Sequence, residues 1–250
     1  MSDYRETFKR KEVKYRLTPS QRERIEQAAR EHLALSPFGK SSVSSLYLDT
    51  PQHSVIDRSL EKPLYKEKVR LRWYGSMALQ DADAVYLELK KKFKGIVYKR
   101  RVRVTVDSAL AFCETRNPGV LAIEYTDDIS PQTQDQILRE VQAACNRQDN
   151  LAPAALIRCT RTPYEEEDLQ GLRITFDSDL VGSDLLANAK GIPLLRQGES
   201  VMEIKCNGPY PLWLARLLSE VQAYPQSFSK YGELYKKRAV QAQERMKHAG

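Results

Sequence analysis

Residues 85–92 read Val-Tyr-Leu-Glu-Leu-Lys-Lys-Lys and alternate between apolar and polar or charged side chains until the final lysine run. Because side chains of a β-strand point to opposite faces in turn, Val85 and Leu87 would lie on one face and Glu88 on the other. The same alternation recurs in at least five other segments, with arginine and lysine as the main residues of the polar register. This repeat of period two restricts the chain to a fold built on β-strands that each have one charged face.

Eight segments carry a strand pattern, and amphipathic helices are predicted between and after them. The predicted strands are residues 9–17, 44–49, 66–74, 85–92, 97–106, 155–162, 172–180 and 201–206. The predicted helices are residues 19–35, about 108–115, 131–145, 211–223 and 230–247. Thr18-Pro19 and Ser130-Pro131 mark clear helix starts, because a hydroxyl can cap backbone N–H groups and proline suits the first turn. Asp107 or Ser108 is the expected cap of the third predicted helix, the segment around Pro63 is predicted as a loop, and Gly95 as a turn.

These elements predict an α+β fold with a mostly antiparallel sheet. The sequence contains no linker-like or low-complexity segment, so we expect a single domain over residues 1–250. Amphipathic helices would cover the apolar strand faces from outside, and the polar faces would then meet solvent or a shared interior. A closed sheet of about eight strands has room for one small ligand.

Composition narrows the possible partners. The net charge is +7, from 40 lysine and arginine residues against 33 aspartate and glutamate residues, which favours a polyanionic partner. No apolar run approaches the roughly 20 residues that cross a bilayer, and the first 16 residues are charged throughout, so a cytoplasmic protein without a membrane span is expected. The four cysteines form no Cys-x-x-Cys pair and are expected to be reduced and mostly buried.

The polar registers would make a shared interior strongly basic. Such an interior would repel itself unless water, counter-ions or a polyanion occupied it. Its cations would be Lys14, Arg70, Arg72, Lys90, Lys99, Arg101, Arg161, Arg173 and Lys205. Glu12, Glu88 and Glu203 each stand two residues before a lysine, an arrangement suited to a divalent metal bound to a phosphate chain.

Each of these features has an ordinary structural interpretation when it is taken alone. A single Glu-x-Lys pattern in a strand is most often a surface ion pair. Arg70 and Arg72 could mark a solvated face, and Asp177 and Asp179 could be exposed close to a turn. The recurrence of the charged register over six or more strands is what favours a binding interior.

Nine short motifs in order resemble one known family over about residues 8–235. They are Lys11-Glu12-Val13-Lys14-Tyr15, Ser45-Leu46-Tyr47-Leu48-Asp49-Thr50, Lys68-Val69-Arg70-Leu71-Arg72, Glu88-Leu89-Lys90-Lys91-Lys92, Tyr98-Lys99-Arg100-Arg101, Arg161-Thr162-Pro163-Tyr164, Leu172-Arg173-Ile174-Thr175-Phe176-Asp177, Met202-Glu203-Ile204-Lys205 and Phe228-Ser229-Lys230-Tyr231. This succession resembles the VTC domain, the catalytic domain of polyphosphate polymerases. That domain is part of the triphosphate tunnel metalloenzyme superfamily, which includes the CYTH phosphatases and cyclases.

The resemblance implies a closed tunnel of eight antiparallel strands that transfers the ATP γ-phosphate to a growing polyphosphate chain with Mn²⁺ or Mg²⁺. The catalytic positions it implies are Lys14, Arg70, Arg72, Lys90, Arg161 and Arg173. The phosphate-binding positions are Lys99, Arg101, Lys205, Ser229 and Lys230, with Ser229 close to the exit of the chain. The metal ligands are Glu203, with Glu88 and Glu12 as further candidates. Arg10 replaces a carboxylate of the Glu-x-Glu-x-Lys pattern of the CYTH relatives, which weakens a two-metal triphosphatase interpretation.

Three functions remain open at this point. The leading hypothesis is a polyphosphate polymerase that acts on ATP and polyphosphate. A tripolyphosphatase or nucleoside triphosphatase would use the same tunnel with water as the acceptor. A non-catalytic polyphosphate-binding module is the third. Nucleic acid is not expected as a partner, because aromatic residues are not interleaved with the basic ones as stacking platforms require.

Overall fold

A computed structural model describes residues 11–94, 96–148, 150–166 and 171–248. The strands are β1 (Lys11–Leu17), β2 (Ala34–Leu35), β3 (Ser41–Asp49), β4 (Tyr65–Tyr74), β5 (Val85–Phe93), β6 (Ile96–Val104), β7 (Ala152–Glu165), β8 (Arg173–Asp184), β9 (Ala189–Pro193) and β10 (Ser200–Cys206). The α-helices are α1 (Pro19–His32), α2 (Ser54–Leu60), α3 (Val106–Thr115), α4 (Pro131–Asn146), α5 (Leu212–Glu220) and α6 (Lys230–His248), with a short 3-10 helix at Pro118–Val120. The predicted α+β class with an antiparallel sheet is confirmed.

The chain divides into two compact units. Unit 1 consists of Met1–Ser41, Cys159–Leu180 and Leu195–Phe228. Unit 2 consists of Ser42–Arg158, Val181–Leu194 and Ser229–Gly250. Closure of eight strands into a tunnel, and a single domain over residues 1–250, stay predictions.

In unit 1, β10 pairs with both β1 and β8, and β2 pairs with β7, all antiparallel. Helix α1 begins as predicted: Thr18 accepts a hydrogen bond from the backbone of Gln21, whose side chain accepts one from the backbone of Thr18. The predicted end of this helix at residue 35 is wrong. Leu33 is already extended, and the next two residues pair with β7 as β2.

In unit 2, strands β3, β4, β5 and β6 pair in that order, all antiparallel, and β9 pairs with β8. Val69, Leu71 and Leu87 belong to the buried core on the apolar side of these strands. Phe112 of α3 and Val141 of α4 belong to the same core. Amphipathic helices therefore cover the apolar registers, as the sequence predicted.

Several local predictions need correction. Helix α2 occupies part of the segment predicted as a loop, and β9 was not predicted. The strand predicted to reach residue 106 ends at Val104, and Thr105 caps α3 by accepting a hydrogen bond from the backbone of Ser108. Lys9, Arg10 and Gly95 lie outside the described residues.

The composition also led to expectations about membrane spans and cysteines. Across the described ranges, no helix is long and apolar enough to cross a membrane. All four cysteines are free thiols, and three of them are buried, as predicted.

Candidate functional site

Three cations contact one buried carboxylate on the polar side of unit 2. The Glu88 side chain is only 2% exposed, and its Oε2 accepts a hydrogen bond of 2.6 Å from Nε of Arg70. Its Oε1 lies 2.9 Å from Nζ of Lys99 and 3.5 Å from Nε of Arg101. They converge because Arg70, Glu88 and Arg101 stand opposite one another on β4, β5 and β6. We call this group the cation cluster: Arg70, Arg72, Lys99 and Arg101 around Glu88.

Neighbouring side chains hold the guanidinium groups of the cation cluster in place. Arg72 is 7% exposed, and its Nε donates a hydrogen bond to Oγ of Ser45 at 3.2 Å. The guanidinium carbon of Arg101 lies 3.5 Å from the ring centroid of Tyr86, and its Nη2 donates to the hydroxyl of Tyr74 at 3.2 Å. These contacts fix planar donors of the kind that bind phosphate in bidentate fashion.

Charge in the cation cluster is unbalanced. Burial raises the pKa of Glu88, but Arg70, Arg72 and Lys99 outweigh burial and hold that pKa well below its usual range. Glu88 is therefore ionised at neutral pH, and one negative charge faces four cations. An excess of half-buried positive charge of this kind favours binding of a multivalent anion.

Tyr47 on β3 extends the cation cluster. Its hydroxyl accepts a hydrogen bond of 3.0 Å from Nη1 of Arg70, and its ring stacks on that of Tyr231 with centroids 5.3 Å apart. Burial raises the pKa of Tyr47, but Arg70, Arg72 and Lys230 outweigh it and lower the pKa to about 8. The cluster therefore favours negative charge even on a phenol.

We expect a spectrophotometric titration of the wild-type protein to show a phenol ionising near pH 8, and Tyr47→Phe to remove that step. Because the folded pKa lies below the ordinary value of 10.0, the native state binds fewer protons than the unfolded state between about pH 8 and 10. Stabilisation by Tyr47 is therefore present above pH 10 and lost as the pH falls through about 8. Persistence of the step in Tyr47→Phe would show that another tyrosine carries it.

Unit 1 contains a second charged group, in which carboxylates and lysines alternate across β1 and β10. Glu12 stands opposite Lys205, and Lys14 stands opposite Glu203. Nζ of Lys205 lies 2.6 Å from Oε1 of Glu203. Nζ of Lys14 lies 3.5 Å from Oε1 of Glu12 and 3.7 Å from Oε2 of Glu203. We call these four residues the carboxylate–lysine cluster.

Arg161 and Arg173 lie in the same unit. Nε and Nη2 of Arg161 donate to the two carboxylate oxygens of Asp177 at 2.7 and 2.8 Å. Asp177 is 3% exposed, so the solvent role considered for it is wrong, whereas Asp179 is exposed. Nε of Arg173 lies 3.6 Å from Oε2 of Glu165.

The carboxylate–lysine cluster suits a divalent metal that is shared with a ligand. Burial raises the pKa of Glu203, but Lys205 and Lys14 outweigh it and lower that pKa, so the carboxylate is charged. No group of three or more histidine, cysteine, aspartate or glutamate side chains in the described part of the chain could hold a metal ion alone. Mg²⁺ is commonly held by one or two carboxylates together with substrate phosphates, and Glu203 and Glu12 supply such oxygens.

The remaining predicted positions lie at the start of α6 and on β5. The hydroxyl of Ser229 accepts a hydrogen bond of 3.2 Å from the backbone of Gly232, so Ser229 caps α6. Lys230 follows it and is close enough to lower the pKa of Tyr47. Lys90 is exposed and stands opposite Lys68 on β4 and Lys99 on β6. By their positions in the chain, Ser229, Lys230 and Lys90 all belong to unit 2.

Comparison with known proteins places the chain in a family. A family model described as the VTC domain matches residues 9–238, which is nearly the whole chain. The chain belongs to the VTC domain family. This membership supports a role in polyphosphate or triphosphate chemistry. A search of curated proteins finds no match.

Solved structures similar to this VTC domain include a protein from Vibrio parahaemolyticus provisionally named an adenylate cyclase. The two are 12% identical with a TM-score of 0.47, over 90% of this chain and 97% of the other. The PH1819 protein from Pyrococcus horikoshii is 14% identical with a TM-score of 0.46, over 93% and 99% of the two chains. At these TM-scores the similarity supports no conclusion about fold or activity.

One residue of this VTC domain has a structural role that the sequence did not reveal. Asp49 is fully buried, and its carboxylate accepts hydrogen bonds of 2.8 to 2.9 Å from the backbone N–H groups of Thr50, Val55 and Ile56. It also accepts one of 2.8 Å from the hydroxyl of Tyr231. Asp49 therefore joins the end of β3 to α2 and α6. The only sequence signal was its place in a motif shared with the family.

Proposed function

We propose that this VTC domain is a metal-dependent polyphosphate polymerase that transfers the γ-phosphate of ATP to a polyphosphate chain. The observation that carries the proposal is the cation cluster of a chain of the VTC family: three cations contact the ionised Glu88, and Arg72 adds a fourth positive charge that acts on it. The predicted closure of eight antiparallel strands into a tunnel is part of the same proposal.

Phosphoryl transfer needs little covalent chemistry from a protein, because positioning and charge stabilisation account for most of the catalysis. A terminal oxygen of the acceptor chain would attack the γ-phosphorus while the bond to the β-phosphate oxygen breaks and ADP leaves. Arg70 and Arg72 would hold phosphoryl oxygens and stabilise the charge that spreads over them, with Lys99 and Arg101 beside them. The same role is proposed for Lys90 and Lys230.

In the other unit, Lys14, Lys205, Arg161 and Arg173 are proposed to bind phosphates as well. Glu203 would hold the metal, with Glu12 as its neighbour, and Glu88 is retained as a further candidate ligand. A bound Mn²⁺ or Mg²⁺ would polarise phosphoryl oxygens and neutralise developing charge. Lys14 and Lys205 hold the pKa of Glu203 below its usual range, so the carboxylate is ionised, as a metal ligand must be.

The test is to incubate the purified protein with ATP and Mn²⁺, or with ATP and Mg²⁺, and to resolve the products on a gel. A ladder of phosphate chains together with ADP is the expected result. Orthophosphate without chains would show a hydrolase with water as the acceptor. Binding of polyphosphate without any turnover would show a non-catalytic module.

We expect Glu203→Gln to lower chain synthesis by at least about 100-fold, because the amide cannot supply the charged oxygen that a hard metal ion prefers. Added Mn²⁺ should restore part of the activity, since the variant would bind the metal more weakly. Glu199→Gln is the matched control, because Glu199 pairs with Arg16 and takes no part in the carboxylate–lysine cluster. Equal activity of the wild-type protein and Glu203→Gln at limiting metal would rule out this role.

A further inference from the structure

Two aromatic side chains lie beside the cation cluster, on the polar face of β4 and β5. Tyr74 follows Arg72 on β4 at a two-residue interval, and Tyr86 precedes Glu88 on β5 in the same way. Tyr86 stands opposite Arg72, so all four side chains lie on one face of the sheet. The two rings form an edge-to-face pair with centroids 6.0 Å apart. One end of the cation cluster therefore adjoins an aromatic surface.

Arg101 joins this aromatic surface to the cation cluster. Its guanidinium carbon lies 3.5 Å from the centroid of the Tyr86 ring, so the guanidinium packs on the face of that ring. At its edge, Nη2 donates to the hydroxyl of Tyr74 at 3.2 Å, and Nε lies 3.5 Å from Oε1 of Glu88. The Arg101 side chain is still 35% exposed, so a further flat group can stack on its guanidinium plane. We call Tyr86 and Arg101 the arginine–tyrosine stack.

The excess of positive charge ends at this stack. Arg103 is the next cation on β6 and stands opposite Tyr86. Its Nη2 lies 2.7 Å from Oε1 of Glu124, so one carboxylate balances its charge, and it also donates to the backbone oxygen of Asp83 at 2.9 Å. A ligand that fits both the cation cluster and the stack needs a multivalent anionic part joined to an uncharged flat part. A nucleoside triphosphate has both parts, whereas an inorganic phosphate chain lacks the flat one.

We propose that the arginine–tyrosine stack is a nucleobase subsite, where a purine stacks on the Arg101 guanidinium while the triphosphate occupies the cation cluster. The inference rests on the proposed function, and it concerns the phosphate donor: a purine nucleoside triphosphate. Arg101 serves both parts of this ligand, because its plane stacks on the base while N–H groups at its edge donate to phosphate oxygens. A purine covers more of the guanidinium than a pyrimidine does, so the subsite favours ATP over CTP.

Three single variants test this proposal. Tyr86→Leu removes the ring that supports Arg101, and Tyr86→Phe keeps that ring. Tyr98→Leu is the matched control, because Tyr98 lies on the opposite face of β6 and is 52% exposed. Dissociation constants of ATP, CTP and tripolyphosphate are measured by calorimetry in the presence of EDTA, so that no metal-dependent reaction consumes the nucleotides. Thermal unfolding shows whether each variant is folded.

We expect Tyr86→Leu to weaken ATP binding roughly tenfold, the size of one stacked base, and to leave tripolyphosphate binding within about twofold. The reason is that Arg101 loses the ring that orients its plane but keeps its charge and its N–H groups. The preference of the wild-type protein for ATP over CTP should disappear in the same variant. Tyr86→Phe and Tyr98→Leu should bind all three ligands as the wild-type protein does. If Tyr86→Leu does not fold, Arg101→Lys removes the plane, keeps the charge, and should weaken ATP binding more than tripolyphosphate binding.

Equal losses for ATP and tripolyphosphate, or no loss for ATP, would overturn the proposal. So would a wild-type protein that binds ATP and CTP equally well. A wild-type protein that makes chains from ATP while Tyr86→Leu binds ATP normally would refute the nucleobase subsite alone. A wild-type protein that makes no chains, but whose preference for ATP over CTP is lost in Tyr86→Leu, would refute the polymerase alone.

Discussion

Glu88→Gln is expected to destabilise the protein by about 3–5 kcal/mol, the usual cost of removing one partner of a buried ion pair. The amide keeps the size of the side chain but removes the charge that Arg70, Lys99 and Arg101 share. Arg72, at 7% exposed, would then lie among like charges without a counter-charge in the cluster. The measurement is urea unfolding followed by tryptophan fluorescence in a buffer free of phosphate.

Two further measurements separate this charge effect from simple loss of packing. Tripolyphosphate should restore much of the stability of Glu88→Gln, because a ligand that binds the folded state stabilises it by mass action. In the wild-type protein, the folded pKa of Glu88 lies below its ordinary value of 4.5. Its stabilisation is therefore present above pH 4.5 and is lost as the pH falls further, and the difference between wild type and Glu88→Gln should shrink there.

Glu140→Gln is the control for Glu88→Gln. Glu140 pairs with Lys91 and Arg100 at 3.7 and 3.4 Å, with side chains that are 24 to 47% exposed. Such a pair contributes about 0–1 kcal/mol. If Glu88→Gln unfolds at the same urea concentration as wild type without any anion, the cation cluster does not depend on that carboxylate.

Asp49→Asn is expected to cost about 2–5 kcal/mol for a different reason. The carboxylate accepts four hydrogen bonds, two on each oxygen, and all four partners are donors. An asparagine has one acceptor oxygen, so its NH₂ group would face either two backbone N–H groups, or one backbone N–H and the Tyr231 hydroxyl, of which only the hydroxyl can also accept. Buried donors without an acceptor each cost about 1–3 kcal/mol.

Urea unfolding of three variants tests this role of Asp49. Tyr231→Phe removes one donor of the four and should cost less than Asp49→Asn. Asp128→Asn, at an exposed turn position of the same unit, should change stability by less than about 0.5 kcal/mol. If Asp49→Asn has the same free energy of unfolding as the wild-type protein, other contacts hold α2 and α6 in place.

The elements that local patterns predicted well are those whose residues act on their near neighbours. Period-two alternation located all eight predicted strands, since the apolar face must pack whatever its partner is. The start of α1 was predictable because Thr18 and Gln21 cap each other within one turn. Helix α2 was missed because its N-terminal N–H groups are satisfied by Asp49, which lies before the turn that precedes the helix.

For the charged residues, too, some features follow from the sequence and others depend on contacts between distant parts of the chain. Composition and the alternating register determined that this protein has strands with basic faces, and the order of its motifs was enough to indicate the VTC family. Only the tertiary structure decided which charges meet. The pairing of β4, β5 and β6 brings Arg70 and Arg101 to Glu88, and that register depends on contacts between strands far apart in sequence.

Asp177 and Lys68 show why the environment of a charged residue could not be predicted from the sequence. The sequence assigns both to a polar register, and from that alone each could face solvent. Packing against other elements buries Asp177 against Arg161 and half-buries Lys68 among other lysines. Desolvation and cross-strand charge are properties of the assembled sheet, so they appear only when the strands are paired.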